Sequence, residues 1–176
     1  MEKKHILICG PRGAGKSTLI EKLLKECTLP VYGFFTRSTP RDDTGFHSIY
    51  IHPAGFQDRV RSESNHIGDC NGRERTVNTQ VFTEKGVPLL RAKPDGVIFM
   101  DELGFMEVDS KPFCDAVMDC LDGSIPVIAA VKERDDIEFL DRIRSHPNAA
   151  VYHITKENRE SLYRELSEIL QSNFRK

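Results

Sequence analysis

The chain has 176 residues, of which 39% are hydrophobic and 30% are charged, and its formal net charge is −2. This length suits one domain spanning residues 1–176, and the composition excludes a disordered or fibrous chain. The low net charge excludes a general attraction to nucleic acid or anionic membrane, although a local basic patch stays possible. No apolar run reaches the roughly 20 residues that span a bilayer, and no signal-peptide pattern is present, so we expect a cytoplasmic location.

The first elements in chain order are a strand, a glycine-rich loop and a helix. Residues 5–9 form a short apolar run closed by Gly10-Pro11, which is typical of a buried strand. Apolar residues at helical spacing then begin after Lys16 and stop before Pro30. Strand, loop and helix therefore follow one another without a gap.

The next segment predicts a β-hairpin. Residues 31–36 have strand composition, and residues 46–51 alternate in polarity. Residues 53–75 are rich in polar residues and glycine and show little periodicity, so we expect loops or short edge strands there. A helix with Asn78 as its N-cap follows, with an interruption at Gly86.

The remaining chain alternates between strands and helices. We predict strands at residues 97–100, 125–131 and 149–154, and helices near residues 113–121, 137–144 and 162–170. Parallel strands need crossover connections, and helices in those connections cover both faces of the sheet. The order predicts an α/β three-layer fold with a mainly parallel sheet and a small β-hairpin insertion.

Two residue types give no sign of a metal or disulfide framework. The five cysteines form no Cys-x-x-Cys pair, and an odd number favours reduced thiols. The histidines His47, His52, His66 and His153 lack the spacing of metal ligands. We expect no metal other than magnesium.

The strongest motif is a complete phosphate-binding loop, or P-loop, of the form G-x-x-x-x-G-K-S. It consists of Gly10, Pro11, Arg12, Gly13, Ala14, Gly15, Lys16 and Ser17, with Thr18 as a supporting residue. Glycines let the backbone wrap around phosphate, and the following helix adds its positive N-terminal end. We expect Lys16 to bridge the β and γ phosphates and Ser17 to bind Mg²⁺. The motif predicts a bound nucleoside triphosphate such as ATP or GTP; the alternative is a turn without a ligand.

A second motif stands at the end of the predicted strand 97–100. The pair Asp101-Glu102 resembles the acidic motif of many P-loop ATPases, in which the aspartate holds magnesium through a bound water. Glu102 is placed to act as a general base on the attacking water. The alternative is a pair of solvated acids in a turn. The candidate catalytic residues are thus Lys16, Asp101 and Glu102, and the candidate metal ligands are Ser17 and Asp101.

Three segments together resemble the cancer-related nucleoside-triphosphatase family. They are the P-loop, the Tyr-Gly-Phe-Phe-Thr run of residues 32–36, and the Met-Asp-Glu-Leu-Gly-Phe-Met-Glu run of residues 100–107. Residues Ser110, Phe113 and 157–159 also fit. The resemblance implies a RecA-like three-layer fold, magnesium dependence, and slow hydrolysis of ATP, GTP and other nucleoside triphosphates with loose base selectivity.

One position departs from the family pattern. Phe105 stands where the family usually carries a lysine, so another cation has to stabilise phosphate charge, or turnover is weaker. The candidates are Arg12, Arg37, Arg41, Lys132 and Arg134. We favour Lys132 and Arg134 because both leave the sheet at its C-terminal edge.

Other residues of the family pattern have two interpretations each. Glu107 is expected to orient water or to act from behind the site. Asn158 and Arg159 either line a base pocket or, with Thr155 as cap, simply begin a helix.

Three functions are compatible with these motifs. The first is magnesium-dependent hydrolysis of nucleoside triphosphates, which the Asp101-Glu102 pair favours. The second is a small-molecule or nucleotide kinase, in which residues 53–75 hold the acceptor or form a lid. The third is a slow, nucleotide-gated module that binds a protein partner of unknown identity.

Overall fold

The computed structural model of this chain describes residues 3–55 and 59–173. The strands of that part are β1 (His5–Gly10), β2 (Val31–Ser38), β3 (His47–Pro53), β4 (His66–Cys70), β5 (Arg75–Val77), β6 (Val97–Leu103), β7 (Val127–Lys132) and β8 (Ala149–His153). The helices are α1 (Lys16–Glu26), α2 (residues 79–89), α3 (Lys111–Asp122), α4 (Glu138–Arg144) and α5 (Arg159–Asn173). Short 3-10 turns lie at Glu63–Asn65 and Glu107–Asp109.

All eight of these strands belong to one sheet, in the order β5-β4-β3-β2-β6-β7-β1-β8. Strands β2, β6, β7, β1 and β8 run parallel to one another, whereas the pairs β2–β3, β3–β4 and β4–β5 are antiparallel. The predicted mainly parallel α/β fold and its hairpin are therefore confirmed. The antiparallel part is larger than a hairpin, because β4 forms within residues 53–75 and β5 begins at their end; residues 56–58 lie outside the described residues.

Two apolar cores cover the two faces of the sheet. Along β1, Leu7 and Cys9 belong to the core that includes residues of α3 and α4, while Ile6 and Ile8 belong to the core that includes residues of α1 and α5. Successive side chains of a strand point to opposite faces, so a strand buried on both sides is apolar throughout. In the described ranges, no helix has the length and apolarity needed to cross a membrane.

Helix α2 contains the interruption expected at Gly86. It consists of the α-helical residues Thr79–Val81, a π-helical turn at Phe82–Gly86 and the α-helical residues Val87–Leu89. Asn78 is its N-cap, as predicted, and its side chain accepts a hydrogen bond from the Val81 amide at 3.4 Å. A Cβ atom at Gly86 would lie 2.7 Å from the ring of Phe113, so the glycine allows α2 and α3 to approach closely.

Strand β6 extends further than the sequence predicts. Its apolar part ends at Met100, yet Asp101, Glu102 and Leu103 continue the strand. The pairing of β6 with β7 shifts register between Met100 and Leu103, so the acidic pair lies at an irregular strand end. The two acidic residues thus belong to the carboxyl end of β6, a strand inside the sheet, and not to a free turn.

Candidate active site

The P-loop connects β1 to α1 at the carboxyl edge of the parallel strands. Gly13 and Gly15 adopt φ angles of 80° and 106°, which lie in the region open to glycine. A Cβ atom at Gly10 would lie 2.5 Å from the carbonyl oxygen of Ile154, the residue that follows β8. The three glycines of the motif are therefore required by the backbone path itself.

The Lys16 ammonium lies over this loop. Its side chain is almost fully buried, with 6% of the residue exposed. Nζ donates to the carbonyl oxygens of Gly10 at 2.7 Å and Pro11 at 3.2 Å. It also lies 3.5 Å from Oε2 of Glu102. The charge of Lys16 is thus held between the loop and the end of β6.

Asp101 links the P-loop to the end of β6. Its Oδ1 accepts a hydrogen bond from the Ser17 hydroxyl at 2.8 Å, and its Oδ2 accepts one from Arg37 at 3.0 Å. Only 1% of Asp101 is exposed. Burial raises the pKa of Asp101, while the hydrogen bonds from Ser17 and Arg37 oppose that rise. The two candidate metal ligands of the sequence analysis, Ser17 and Asp101, are therefore in direct contact.

Arg37 itself is fixed by neighbours on both sides. It forms an ion pair with Glu21 of α1, and it donates to the carbonyl oxygen of Thr36 at 2.7 Å. The Thr36 hydroxyl donates to the Asp101 carbonyl oxygen at 3.2 Å. Strand β2 therefore holds both the side chain and the backbone of Asp101.

Glu102 lies between two lysines. Its Oε2 is 3.5 Å from Lys16 Nζ, and its Oε1 is 3.5 Å from the Nζ of Lys132, the last residue of β7. The carboxylate is only partly buried, with 22% of its side chain exposed. Glu102 thus faces solvent at the mouth of the loop, in contrast to the buried Asp101.

Glu107 stabilises the turn that follows β6. It is 4% exposed, and its carboxylate accepts a hydrogen bond from the backbone amide of Gly104. Burial raises its pKa to about 6, despite hydrogen bonds to backbone amides that oppose the rise. Of the two roles expected for Glu107, these contacts fit the one behind the site, where it holds the turn that carries Phe105.

The five candidate cations have different neighbours. Arg37 is paired with Asp101, and Arg41 donates to the carbonyl oxygens of Gly45 and Asn71 on the exposed antiparallel part. Arg134 donates two hydrogen bonds to Asp136, at 2.7 and 2.6 Å. Lys132 contacts Glu102, and Arg12 lines the cleft described below.

Asn158 has local partners that explain its presence. Its Oδ1 accepts from the Thr155 amide at 2.7 Å, and its Nδ2 donates to the His153 carbonyl oxygen at 2.8 Å. Thr155 in turn accepts from the Asn158 amide at 3.2 Å. Arg159 has a different position, because its Cδ atom lies 4.0 Å from where a Cβ of Gly15 would stand. Arg159 therefore lies beside the P-loop.

A cleft of about 800 Å³ opens above the P-loop. Its volume falls in the range of small-molecule sites, and its place at the carboxyl edge of parallel strands is typical of α/β proteins. The polar lining comes from the P-loop and from strand ends: Thr36, Ser38, Glu102, Lys132, Glu133 and Arg134. An apolar wall comes from Phe34, Ile67, Phe82 and Phe113.

The contacts of Arg37 and Thr36 with Asp101 do not follow from spacing along the sequence. Thr36 ends the Tyr-Gly-Phe-Phe-Thr run of β2 and Arg37 follows it. The sequence indicates Arg37 only as a candidate cation for phosphate. The contact exists because β2 lies next to β6 in the sheet, with Phe35 paired to Asp101. The signal in the sequence is that β2 carries a family motif. If β2 lies next to β6, the residues at the end of that motif come close to Asp101.

These features define a class of protein. A glycine-rich loop joins a buried parallel strand to a helix, and a buried carboxylate from another strand of the same sheet accepts a hydrogen bond from the loop serine. This is the architecture of a P-loop nucleoside-triphosphatase.

The chain belongs to the protein family described as NTPase, whose family model matches residues 5–167. It is similar to the mouse cancer-related nucleoside-triphosphatase homolog, with 30% identity over 190 residues that cover 97% of this chain and 98% of the mouse protein. It is also similar to nucleoside-triphosphatase THEP1 of Aquifex aeolicus, with 30% identity over 180 residues that cover 94% of this chain and 98% of that protein. The resemblance inferred from the motifs is confirmed.

Solved structures agree with this assignment. The crystal structure of THEP1 from Aquifex aeolicus superposes with a TM-score of 0.77 at 27% identity, covering 95% of this chain and 99% of that one. The solution structure of a human cancer-related nucleoside triphosphatase gives a TM-score of 0.69 at 26% identity, covering 98% and 100%. The fold and its family are thus supported along nearly the whole chain.

Proposed function

We propose that this protein hydrolyses nucleoside triphosphates to the diphosphate and phosphate in the cleft above the P-loop. The observation that carries the proposal is the 2.8 Å contact between Ser17 and the buried Asp101. P-loop enzymes place a serine hydroxyl and an aspartate at this position to hold magnesium beside the β and γ phosphates. The relatives named as nucleoside-triphosphatases support the same reaction.

The phosphates lie along the P-loop, within reach of residues 10–18. Backbone amides of such a loop point inward, and Lys16 supplies a positive charge beside them. The start of α1 at Lys16 adds the positive end of its helix dipole. The triphosphate end that reacts therefore faces Glu102 and Lys132.

Magnesium fits the oxygen atoms of Ser17 and Asp101. Mg²⁺ prefers oxygen ligands, and it keeps most of its waters while taking one or two ligands from the protein. When bound, the ion neutralises charge on the β and γ phosphate oxygens. Arg37 keeps the Asp101 carboxylate oriented toward Ser17.

Glu102 acts as the general base. The water oxygen forms a bond to the γ phosphorus, the bond from that phosphorus to the bridging oxygen of the diphosphate breaks, and the water proton passes to Glu102. Lys16 and Lys132 flank Glu102 and lie where negative charge develops. Lys132 thus stabilises the phosphate charge, the role that the resemblance assigns to a lysine at position 105.

The test is a phosphate-release panel over nucleoside tri-, di- and monophosphates, each with and without magnesium. We expect phosphate from ATP, GTP and other triphosphates only with magnesium, and none from monophosphates. Lys16→Ala should abolish release, because it removes the charge that binds the β and γ phosphates. Unchanged release by Lys16→Ala would refute this mechanism.

The same panel separates the two alternatives. A kinase releases little free phosphate with or without an acceptor, because it transfers the phosphoryl group to the acceptor and forms the diphosphate only when one is added. A nucleotide-gated module binds tightly but turns over very slowly. The Glu102 carboxylate at the loop mouth favours water as the acceptor. A cytoplasmic location and the absence of a nucleic-acid partner stay predictions from the sequence.

A further inference from the structure

Three cations surround the aromatic ring of Phe105. Lys132 Nζ lies 4.6 Å from the ring centroid, and the guanidinium carbons of Arg75 and Arg134 lie at 5.5 Å and 5.8 Å. Cations within about 6 Å of a ring centroid are attracted by the negative face of the ring. Phe105 therefore stands among three positive charges, at the position where the family resemblance leads us to expect a lysine.

The turn before α3 fixes the ring relative to Lys132. The Glu107 carboxylate accepts a hydrogen bond from the Gly104 amide. Phe105 lies between these two residues, so the hydrogen bond closes the turn that contains it. The Lys132 side chain passes closely over this turn, because a Cβ atom at Gly104 would lie 2.9 Å from Lys132 Cδ. At the backbone, Arg144 donates to the Lys132 carbonyl oxygen at 2.8 Å. The backbone of Lys132 is thus held by Arg144, and its side chain packs against the turn that carries Phe105.

Only one of the three cations has its carboxylate partner in the active site. Arg75 is paired with Asp109 at 2.9 Å, and Arg134 with Asp136 at 2.6 Å. Lys132 instead lies 3.5 Å from Glu102. The ring can therefore influence the reaction most directly through Lys132.

We infer that Phe105 is a positioning residue, whose ring holds the Lys132 ammonium at the end of the cleft so that it meets the terminal phosphate. A ring at this position supplies, through Lys132, the charge that a lysine there would supply itself. This inference rests on the proposed function of the same site. It also implies that Phe105→Lys does not improve the enzyme, because it places a second ammonium beside Lys132.

The first test compares side chains at position 105. Phe105→Tyr keeps the aromatic face, and Phe105→Leu keeps apolar bulk without it. With magnesium and ATP, we expect Phe105→Leu to lower kcat about threefold to tenfold with a smaller change in KM, and Phe105→Tyr to stay near the parent value. Equal kcat values for Phe105→Leu and the parent would overturn the inference.

The second test asks whether the ring acts through Lys132. In a Lys132→Met background, which keeps an unbranched apolar side chain, Phe105→Leu should have no further effect on kcat. An undiminished effect in that background would show that the ring acts independently of Lys132. The matched control is Tyr163→Leu, which removes a cation–π pair with Lys22 outside the cleft and should leave kcat unchanged.

A third measurement does not depend on hydrolysis. Titration calorimetry measures the affinity of the protein for ADP and for a non-hydrolysable ATP analogue, each with magnesium. The ratio of these two affinities gives the preference of the protein for the terminal phosphate. Phe105→Leu should lower this preference about threefold or more, and Phe105→Tyr should preserve it. If the parent shows the preference, Phe105→Leu lowers it, and no phosphate is released, the proposed function fails while this inference stands. If Phe105→Leu keeps the full preference, the inference fails.

Discussion

Each carboxylate oxygen of Glu102 lies 3.5 Å from the ammonium of a different lysine, Lys16 or Lys132. We expect Glu102→Gln to retain nucleotide binding and to lower turnover by about 10²- to 10⁴-fold, the usual contribution of a general base. Because an amide and a carboxylate have nearly the same shape, the decrease in turnover measures the contribution of proton transfer to Glu102. Parallel measurements of kcat and of nucleotide affinity check this.

Glu133→Gln is the matched control for that variant. Glu133 lines the same cleft, but its carboxylate is 3.1 Å from the exposed His153. Its replacement should leave turnover nearly unchanged. Similar losses in both variants would mean that cleft charge in general, and not Glu102, governs the rate.

Glu107 predicts a pH dependence of stability. Its pKa is raised from 4.5 to about 6 by burial, so the folded state binds this proton more tightly than the unfolded state does. The stability contributed by protonated Glu107 is present below about pH 4.5 and is lost as pH rises through about 6. Glu107→Gln removes this titration and keeps an oxygen that can accept the Gly104 hydrogen bond.

The measurement is urea unfolding of both proteins between pH 4 and pH 7.5. The unfolding free energy of Glu107→Gln minus that of the parent should rise across this window by about 2 kcal/mol, as a shift of this size implies. It should be level above about pH 7, where Glu107 is ionised in both the folded and the unfolded state. A difference that does not change with pH would contradict the assignment.

The sequence predicted residues of the site that belong to local motifs. Lys16, Ser17 and Asp101 lie in short patterns whose chemistry is readable from residue type and spacing, and the structure brings them together. Arg37 and Glu107 act through contacts that depend on the register of β2 with β6 and on the fold of one turn. Neither contact follows from spacing along the chain.

At the scale of the elements, Gly33 in β2 allows the backbones of β2 and β6 to approach closely. It has a φ angle of 98°, and a Cβ atom there would lie 1.9 Å from the carbonyl oxygen of Phe99 in β6. We expect Gly33→Ala to lower the unfolding free energy by several kcal/mol or to prevent folding, because the clash is with the backbone of a central strand. Denaturant unfolding and soluble yield measure this.

Gly45→Ala is the matched control. Gly45 has a φ angle of 83°, but a Cβ atom there meets nothing within 4 Å. Its replacement should lower stability by only about 1 to 2 kcal/mol, the penalty of a left-handed conformation. Equal losses at Gly33 and Gly45 would show that conformation alone, without the contact between β2 and β6, explains the requirement.

Elements with strong periodicity are predictable from the sequence, whereas for residues 53–75 the sequence leaves loops and short edge strands open without giving their bounds. Strand β1 is fully apolar because both of its faces are buried, which makes it recognisable. Strand β5 has three residues, two of them exposed, and it exists because β4 offers a free edge for pairing. Its own side chains carry no signal of that pairing.

For the whole molecule, we predict a single unfolding transition that shifts with bound nucleotide, as one domain would show. A ligand present at about 100 times its Kd adds about 2.7 kcal/mol of stability. For a chain of this size, that corresponds to a rise in Tm of roughly 5 to 10 °C. Calorimetric scans with ADP and magnesium measure it.

Lys16→Ala is the control for nucleotide stabilisation. Its Tm should not rise with ADP and magnesium, since the charge beside the β phosphate is gone. A full rise in that variant would place the nucleotide elsewhere. Two separate transitions in the parent would contradict the single domain expected for residues 1–176.

The central claim is that water attacks the γ phosphorus of a nucleoside triphosphate at this site. Its most direct test is hydrolysis of ATP with magnesium in ¹⁸O-enriched water, without any added acceptor, followed by mass spectrometry of the products. We predict that phosphate carries one ¹⁸O atom and that ADP carries none, because the bond to the γ phosphorus is broken. Label in ADP, or no labelled phosphate in the absence of an acceptor, would contradict the account.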